Sequence, residues 1–289
     1  MSIEFNYQQA FARNLGWVSS SEQNSIKDKK IAIAGMGGVG GIHLINFVRM
    51  GYENFHIADP DFFELANFNR QFGANMDSID KNKAEVMVKL AKSINPNVQI
   101  EVFHEGVTSH NVGAFLKNVD AYVDGLDVFE IEIREKVFGY CHLYNIAAFT
   151  YGPVGMGVAG TAFLPNKMSF EDYFGMSKVS LSEKIYRFVV GISPAFLHIK
   201  AVKDVSYFDL EKRKTGSTTM GCSISSGVMV TEVTKYLLKR GNVIAAPMSI
   251  QYDSFSQRFK RKLSWGGRLN PLFILKVYLL KNWILRKKN

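Results

Sequence analysis

The sequence predicts an α/β fold whose parallel N-terminal half continues into a mixed sheet, with helices on both faces. Three observations predict it. Ile31-Ala32-Ile33-Ala34 is a continuous apolar run that ends in a glycine cluster and leads into a helical pattern. Short strand-like runs then alternate with helical patterns as far as residue 151. A later apolar run, Val158 to Leu164, carries the sheet past that first half. Continuous rather than alternating apolar runs belong to parallel strands covered on both faces, and strand–helix alternation builds parallel sheets.

Composition bounds the rest. The chain has 289 residues, 47% hydrophobic and 21% charged, enough for one large α/β domain or two modest ones with a real core. Two cysteines, Cys141 and Cys222, neither build a disulfide framework nor supply the four thiolates of a structural zinc site. No zinc is expected, and a reducing cytoplasm is the simplest home. The first residues carry no apolar segment of the secretory kind. The net charge is +9, and Lys260 to Asn289 holds nine Lys or Arg and no acid. The excess is therefore a basic tail on a nearly neutral body, and no nucleic-acid-binding face is indicated.

Residues 1–29 hold the apolar anchors Phe5, Tyr7, Phe11 and Trp17, with Arg13 among them as a surface arginine on its plainest reading. Ser19-Ser20-Ser21-Glu22 offers a helix N-cap followed by an acid. Gly35, Gly37 and Gly40 then form G-x-G-x-x-G, with Gly38 and Gly41 beside them. Glycine lets the backbone turn sharply and approach a phosphate, while the next helix aims its N–H groups and positive end at the anion. This is the Rossmann-like arrangement. A second strand, Phe55 to Ala58, delivers Asp59, 24 residues after Gly35, a spacing that suits a ribose hydroxyl. Alone, the pattern fits NAD, FAD or ATP.

Asp59 and Asp61, two apart beyond a strand end, point the same way in an extended segment. One acid serves a dehydrogenase; a second suggests help in holding a divalent cation. Asn67, Asn69, Arg70 and Gln71 follow, then an amphipathic helix from Lys81 or Lys83 to Asn95-Pro96. An arginine and a lysine in one pocket suit phosphates under attack; a solvated loop is the plain alternative. Next come a strand Val98 to Phe103, a short helix Val107 to Leu116 capped near Thr108 or Ser109, and a strand Val119 to Asp124. Asp127, just beyond, faces the ligand crevice of such sheets and is a candidate Mg2+ ligand, whereas Asp124 orients a loop.

A helix Glu130 to Tyr144 carries Cys141 into the core, and Ala147 to Tyr151 is a strand. Gly152 to Gly157 reads as a flexible glycine-rich passage. Residues 169–219 are irregular, with an aromatic cluster at Phe170, Tyr173 and Phe174 and a polar stretch from Glu211 to Thr219. They read as a mobile or partly helical excursion over the site. Gly221 to Gly227 opens a helix that runs to Gly241; Cys222 at its start is either a thiol of lowered pKa or a small core residue. Pro247 to Phe255 is a closing strand, and Gln257 to Lys262 is simply basic. The tail from Pro271 is apolar, aromatic and cationic, and too short in its uncharged runs to span a bilayer. An interfacial or partner-docking helix and a helix laid on the body both remain open. The expected organisation is an N-terminal packing segment (1–29), a main domain (30–259, with a nucleotide half 30–151 and a substrate half 152–259) and a basic amphipathic tail (260–289).

Together these residues resemble the ThiF/MoeB/HesA adenylyltransferases, bacterial relatives of ubiquitin-activating enzymes. The likeness covers most of residues 8–255 and is strongest from 11 to 127. It rests on Phe11-Ala12-Arg13 with Gln23, the turn Gly35 to Gly40, Asp59-x-Asp61 and Asn67-x-Asn69-Arg70-Gln71. Lys83, twelve after the glutamine, Asp127, and Glu232-x-x-Lys235-x-Leu237 complete it. There are departures. The usual glycine is missing within Asp80-Lys81-Asn82, and Arg134 lies two residues farther from Asp127 than the corresponding arginine. The two zinc-binding C-x-x-C pairs are absent, and no cysteine stands clearly at the nucleophile position.

The resemblance implies activation of a carboxylate, on a peptide or a small carrier protein with a free C-terminus, as an acyl adenylate, using ATP and Mg2+ and releasing pyrophosphate. It implies that Gly35, Gly37, Gly38 and Gly40 cradle phosphate, that Asp59 holds ribose, and that Asp61, Asn69 and Gln71 line the nucleotide. Asp127, assisted by Asp61, would place Mg2+; Arg70, Lys83 and Asn67 would stabilise charge; Arg13 would reach across a homodimer. Transfer through a thioester at Cys222 is left open. Two other classes stand against this reading. A NAD- or flavin-dependent oxidoreductase would share only the glycine turn and has no use for Asn67 to Gln71 or for Lys83. A non-catalytic scaffold would dock on a membrane or partner through residues 268–289.

Overall fold

The computed structural model describes residues 4–208, 213 and 215–288, with 283–288 by backbone alone. Expectations for Glu211, Lys212 and Lys214, and for the side chains of Arg286, Lys287 and Lys288, lie outside the described residues. Eight strands form one sheet in the order β3-β2-β1-β4-β5-β6-β7-β8. They are β1 Lys30–Ala34, β2 Asn54–Ala58, β3 Gln99–Phe103, β4 Ala121–Asp124, β5 Ala147–Val154, β6 Gly157–Phe163, β7 Met248–Asp253 and β8 Arg258–Leu263. The first five are parallel to their neighbours, and pairing turns antiparallel from β5 onward. The predicted class, a parallel half running into a mixed sheet, is what the chain adopts.

Ten α-helices accompany the sheet among the described residues: α1 Tyr7–Ala10, α2 Ser20–Lys27, α3 Gly40–Met50, α4 Lys83–Ile94, α5 Val112–Phe115, α6 Ile131–Leu143, α7 Phe170–Phe174, α8 Leu181–Ile192, α9 Thr219–Leu237 and α10 Pro271–Lys288. α2 starts where the sequence signals it, with Ser19 and Glu22 forming a reciprocal capping box. On one face of the sheet, α3, α4 and α9 bury Leu44, Phe47, Met87 and Val233 against β1 and β2. On the other, α5 to α8 pack a run of aromatic rings that includes Phe115, Phe138, Phe170 and Phe188. Tyr122 of β4 meets Phe138 edge to face, with ring centres 5.4 Å apart. Cys141 is buried on this second face, as expected.

Three expectations change. The helix predicted over 107–116 shrinks to α5. Thr108 Oγ1 accepts from the N–H groups of His110 and Asn111, and the Asn111 side chain caps Thr108 N, so local side-chain bonds hold the chain in a turn. Gly152 to Gly157 is not a loose passage. β5 continues to Val154 and turns at Gly155-Met156 straight into β6, with Gly155 at φ +63. Gln257 to Lys262 is more than a basic stretch: β8 pairs along its whole length with β7, so the boundary drawn at 259/260 falls inside a strand. The excursion before α9 is partly helical among the described residues, one of the two forms expected, through α7, α8 and two short 3-10 turns.

Candidate active site

β1 and β4 lie side by side, but the helices that follow them go to opposite faces, α3 to one and α6 to the other. Such a reversal opens a crevice at the carboxyl ends of the strands. Gly35 N donates to Ala58 O at 2.7 Å, and Gly125 N donates to Ala34 O at 2.9 Å, so the turns leaving both strands meet there. Gly35 has φ +87, and a Cβ on it would stand 2.4 Å from Gly125 O. A Cβ on Gly40 would stand 1.7 Å from Gly35 O. These two glycines are fixed by backbone meeting backbone.

Gly37 and Gly38 differ. The nearest atoms to a Cβ there are the Gln71 amide at 3.7 Å and Cys222 Sγ at 3.3 Å. The N–H groups of both residues have no acceptor among the described residues. They stand just ahead of α3, where the helix dipole is positive, so free donors and a favourable field coincide. That combination fits an anion.

The predicted polar residues gather round this turn, with divided roles. Asp59 Oδ2 accepts from Met36 N at 2.5 Å and Oδ1 from Asp61 N at 2.8 Å; burial raises its pKa. Gln71 lies against Gly37, and its buried Oε1 has no partner among the described residues. The Arg70 stem passes Gly38, and its guanidinium donates to Asn69 Oδ1 at 2.9 Å and to Ala66 O. Asn69 in turn donates to Ser217 O at 3.0 Å, which ties the string to the start of α9. Asn67 is buried and its Oδ1 accepts from Glu64 N, so it braces the local 3-10 turn Leu65–Asn67. Lys83 pairs with Asp61 at 3.0 Å; the lysine side chain is 9% exposed and the carboxylate 65%, which sets the pair at the rim.

The loop after β4 carries the second acid set. Asp124 is buried, bonded to Leu126 N, Thr150 Oγ1 and Arg134 Nε, and so orients the loop as expected. Arg134 also donates to Leu126 O and lies over the Phe188 ring. It is a buried structural arginine held on Asp124. Asp127 is exposed; its Oδ1 accepts from Phe129 N, and Oδ2 makes no hydrogen bond among the described residues. No group of three or more His, Cys, Asp or Glu among the described residues is arranged to hold a metal. A single free carboxylate oxygen still suits Mg2+, which binds through one or two carboxylates with phosphates and water.

Two expected participants stand apart. Arg13 sits exposed on the 3-10 turn Ala12–Asn14, without a partner among the described residues. Cys222 is buried with Sγ toward Gly38, and burial pushes its thiol up, against the partial relief given by Ser217 and Arg70. The reading of Cys222 as a small packed residue therefore prevails over a thiol of lowered pKa.

Sequence reasoning passed over Gly125, whose signal was a glycine immediately after a strand. It also passed over the hairpin at Gly155, whose carbonyl accepts from Thr218 Oγ1 and steadies the start of α9. His43 on α3 is fully buried, its two ring nitrogens lack partners among the described residues, and burial lowers its pKa to about 3.

A family model described as the ThiF family matches residues 11–265. The tRNA threonylcarbamoyladenosine dehydratase of Haemophilus influenzae is 26% identical over 151 residues, 52% of this chain and 57% of that protein. The sulfur carrier protein ThiS adenylyltransferase of Escherichia coli is 24% identical over 135 residues, 47% of this chain and 53% of that protein. The chain thus spans little more than half the length of these curated relatives. Among solved structures, E. coli MccB with ATP superposes with a TM-score of 0.65 at 20% identity, covering 92% of this chain and 72% of that one. That likeness is one of fold.

Proposed function

The chain belongs to the ThiF family, and on that premise we propose that it uses ATP to activate a carboxylate as an acyl adenylate. The carboxylate is that of a peptide or small carrier protein C-terminus. The observation that carries this reading is the pair of N–H groups at Gly37 and Gly38 that have no acceptor among the described residues, with Arg70 alongside and the Lys83–Asp61 pair nearby. A nicotinamide or flavin enzyme needs the glycine turn but not those cations.

In the proposed reaction a carboxylate oxygen attacks the α-phosphorus. The bond from that phosphorus to the oxygen bridging toward the β-phosphate breaks, and pyrophosphate leaves. No proton need move, because the carboxylate is ionised at neutral pH. Gly37 and Gly38 would receive phosphate oxygens. Arg70 and Lys83 would offset the charge that accumulates, and Asp59, held by Met36 N, would face the ribose. Asp127 Oδ2 is the oxygen available to Mg2+, which when bound neutralises phosphate charge. Asn67, Asn69 and Gln71 keep the Arg70 segment against the turn. Exposed Arg13 is assigned to the partner's site in a homodimer, and the free thiols of Cys141 and Cys222 suit a reducing cytoplasm.

The test is Mg2+-dependent exchange between ATP and labelled pyrophosphate, stimulated by a carboxylate-bearing partner. Arg70→Ala and Asp127→Ala should each abolish it. Normal exchange in both variants, or tight NAD(H) binding without ATP binding, would remove this reading.

A further inference from the structure

The terminal helix α10 lies on the body by one side only. Phe273 and Val277 are buried against Tyr186 and Val190 of α8, and the Lys276 ammonium reaches Pro194 O at 2.7 Å. The opposite arc leaves Leu272, Leu275, Tyr278 and Leu279 exposed, one stripe at helical spacing. Trp265 and Leu269, each 77% exposed, precede it.

The segment that carries this stripe is cationic in sequence. Lys260 to Asn289 contains nine cations and no acid. On β8, Arg258, Lys260 and Lys262 pair with Asp253, Gln251 and Ser249 and alternate onto the sheet face that α8 covers. β8 leads directly through the 3-10 turn Gly267–Leu269 into α10, which packs on that turn, so the Lys262 end of the strand lies toward the helix. The nearby acids are already engaged: Glu171 and Asp172 by Arg268, and Glu183 by Arg187, with Lys281 within 4.0 Å.

Lysines on an edge strand guard against aggregation, which accounts for β8. They do not account for outward leucines on a helix that already has a buried side. A second copy of this chain would bring the same cations against themselves, an unfavourable match. No helix among the described residues is long and apolar enough to cross a membrane. We propose that this face docks on an anionic lipid surface, with the Leu272–Leu279 stripe at the acyl boundary and the β8 cations on headgroup phosphates. This goes beyond the adenylation reading and does not depend on it.

The experiment is co-sedimentation of the full chain with vesicles of phosphatidylcholine, alone or with roughly one-third phosphatidylglycerol. Partition should be at least about tenfold greater on the anionic vesicles and should collapse in high salt. Leu272→Glu/Leu279→Glu should lose at least about tenfold in partition with thermal stability and pyrophosphate exchange unchanged, and Lys260→Glu/Lys262→Glu should lose the preference for anionic lipid. Equal partition on both vesicles, or partition indifferent to the leucine variant, overturns the proposal. Retention on immobilised polyglutamate without vesicle binding overturns it too, in favour of an acidic protein partner.

Discussion

Adding one methyl group at two glycines of the same turn should have opposite consequences. At Gly40 an alanine Cβ would sit 1.7 Å from Gly35 O, which is itself wedged against Gly125. Nothing flexible can yield there, so Gly40→Ala should cost about 3 kcal/mol or more, at the upper end of overpacking. For a chain of 289 residues, at about 2.1 cal/mol/K of unfolding entropy per residue, that corresponds to a melting temperature lower by roughly 5 °C. At Gly37 the nearest atom to a Cβ is the Gln71 amide at 3.7 Å, an ordinary contact, and φ is not in the positive range. Gly37→Ala should therefore change stability by less than about 0.5 kcal/mol. Its methyl would project where phosphate must approach the free N–H groups, so ATP affinity should fall at least about tenfold, equivalent to 1.4 kcal/mol. Differential scanning fluorimetry and calorimetric ATP titration read both quantities. A Gly37→Ala protein that melts normally and binds ATP like the parent would refute the assignment of this turn as a phosphate cradle.

Three further outcomes follow from particular contacts. Lys83→Met should barely alter melting, since its partner Asp61 is mostly exposed and such pairs contribute less than about 1 kcal/mol, yet it should reduce pyrophosphate exchange on the order of a hundredfold. His43 is held neutral by burial, at about 3 against 6.5, so only the unfolded chain takes up its proton over that interval; stability is full above neutral pH and falls as pH drops. At about pH 5 the loss from His43 alone is about 2 kcal/mol, and His43→Leu should flatten that part of the pH–stability curve seen in urea titrations. Cys222, buried with a raised thiol pKa, should alkylate far more slowly than a free peptide thiol, and Cys222→Ser should retain exchange; loss of exchange would instead give the sulfur a chemical role.

What could be read in advance followed from local rules. The strand, glycine turn, helix and acid from Ile31 to Asp59 are contiguous, and the Ser19–Glu22 capping box spans three residues. The place of Asp127 just beyond the end of β4 was legible because the strand and its end are local. The eighth strand was not: Arg258, Lys260, Arg261 and Lys262 put charge on both faces, which masks any alternation, and only pairing with β7 reveals a strand. α5 was overextended because an Asn111–Thr108 bond pattern competes with helix, a contest that apolar spacing does not register. The division of labour within Asn67 to Gln71 depends on contacts with Glu64, Gly37 and Ser217, the last more than a hundred residues away. Arg134, noted in the sequence only for lying two residues too far from Asp127, pairs with buried Asp124, a contact that spacing does not reveal.

The central claim is that a carboxylate oxygen becomes bonded to the α-phosphorus of ATP. It is tested most directly by supplying a partner peptide or carrier protein, made from the small reading frames flanking the gene, with its C-terminal carboxylate labelled with oxygen-18. After turnover and quenching in unlabelled water, the released AMP is weighed by mass spectrometry. One labelled oxygen should appear in AMP from the parent protein, and no labelled AMP with Arg70→Ala. Unlabelled AMP, formed while the label stays in the partner's carboxylate, would contradict that claim.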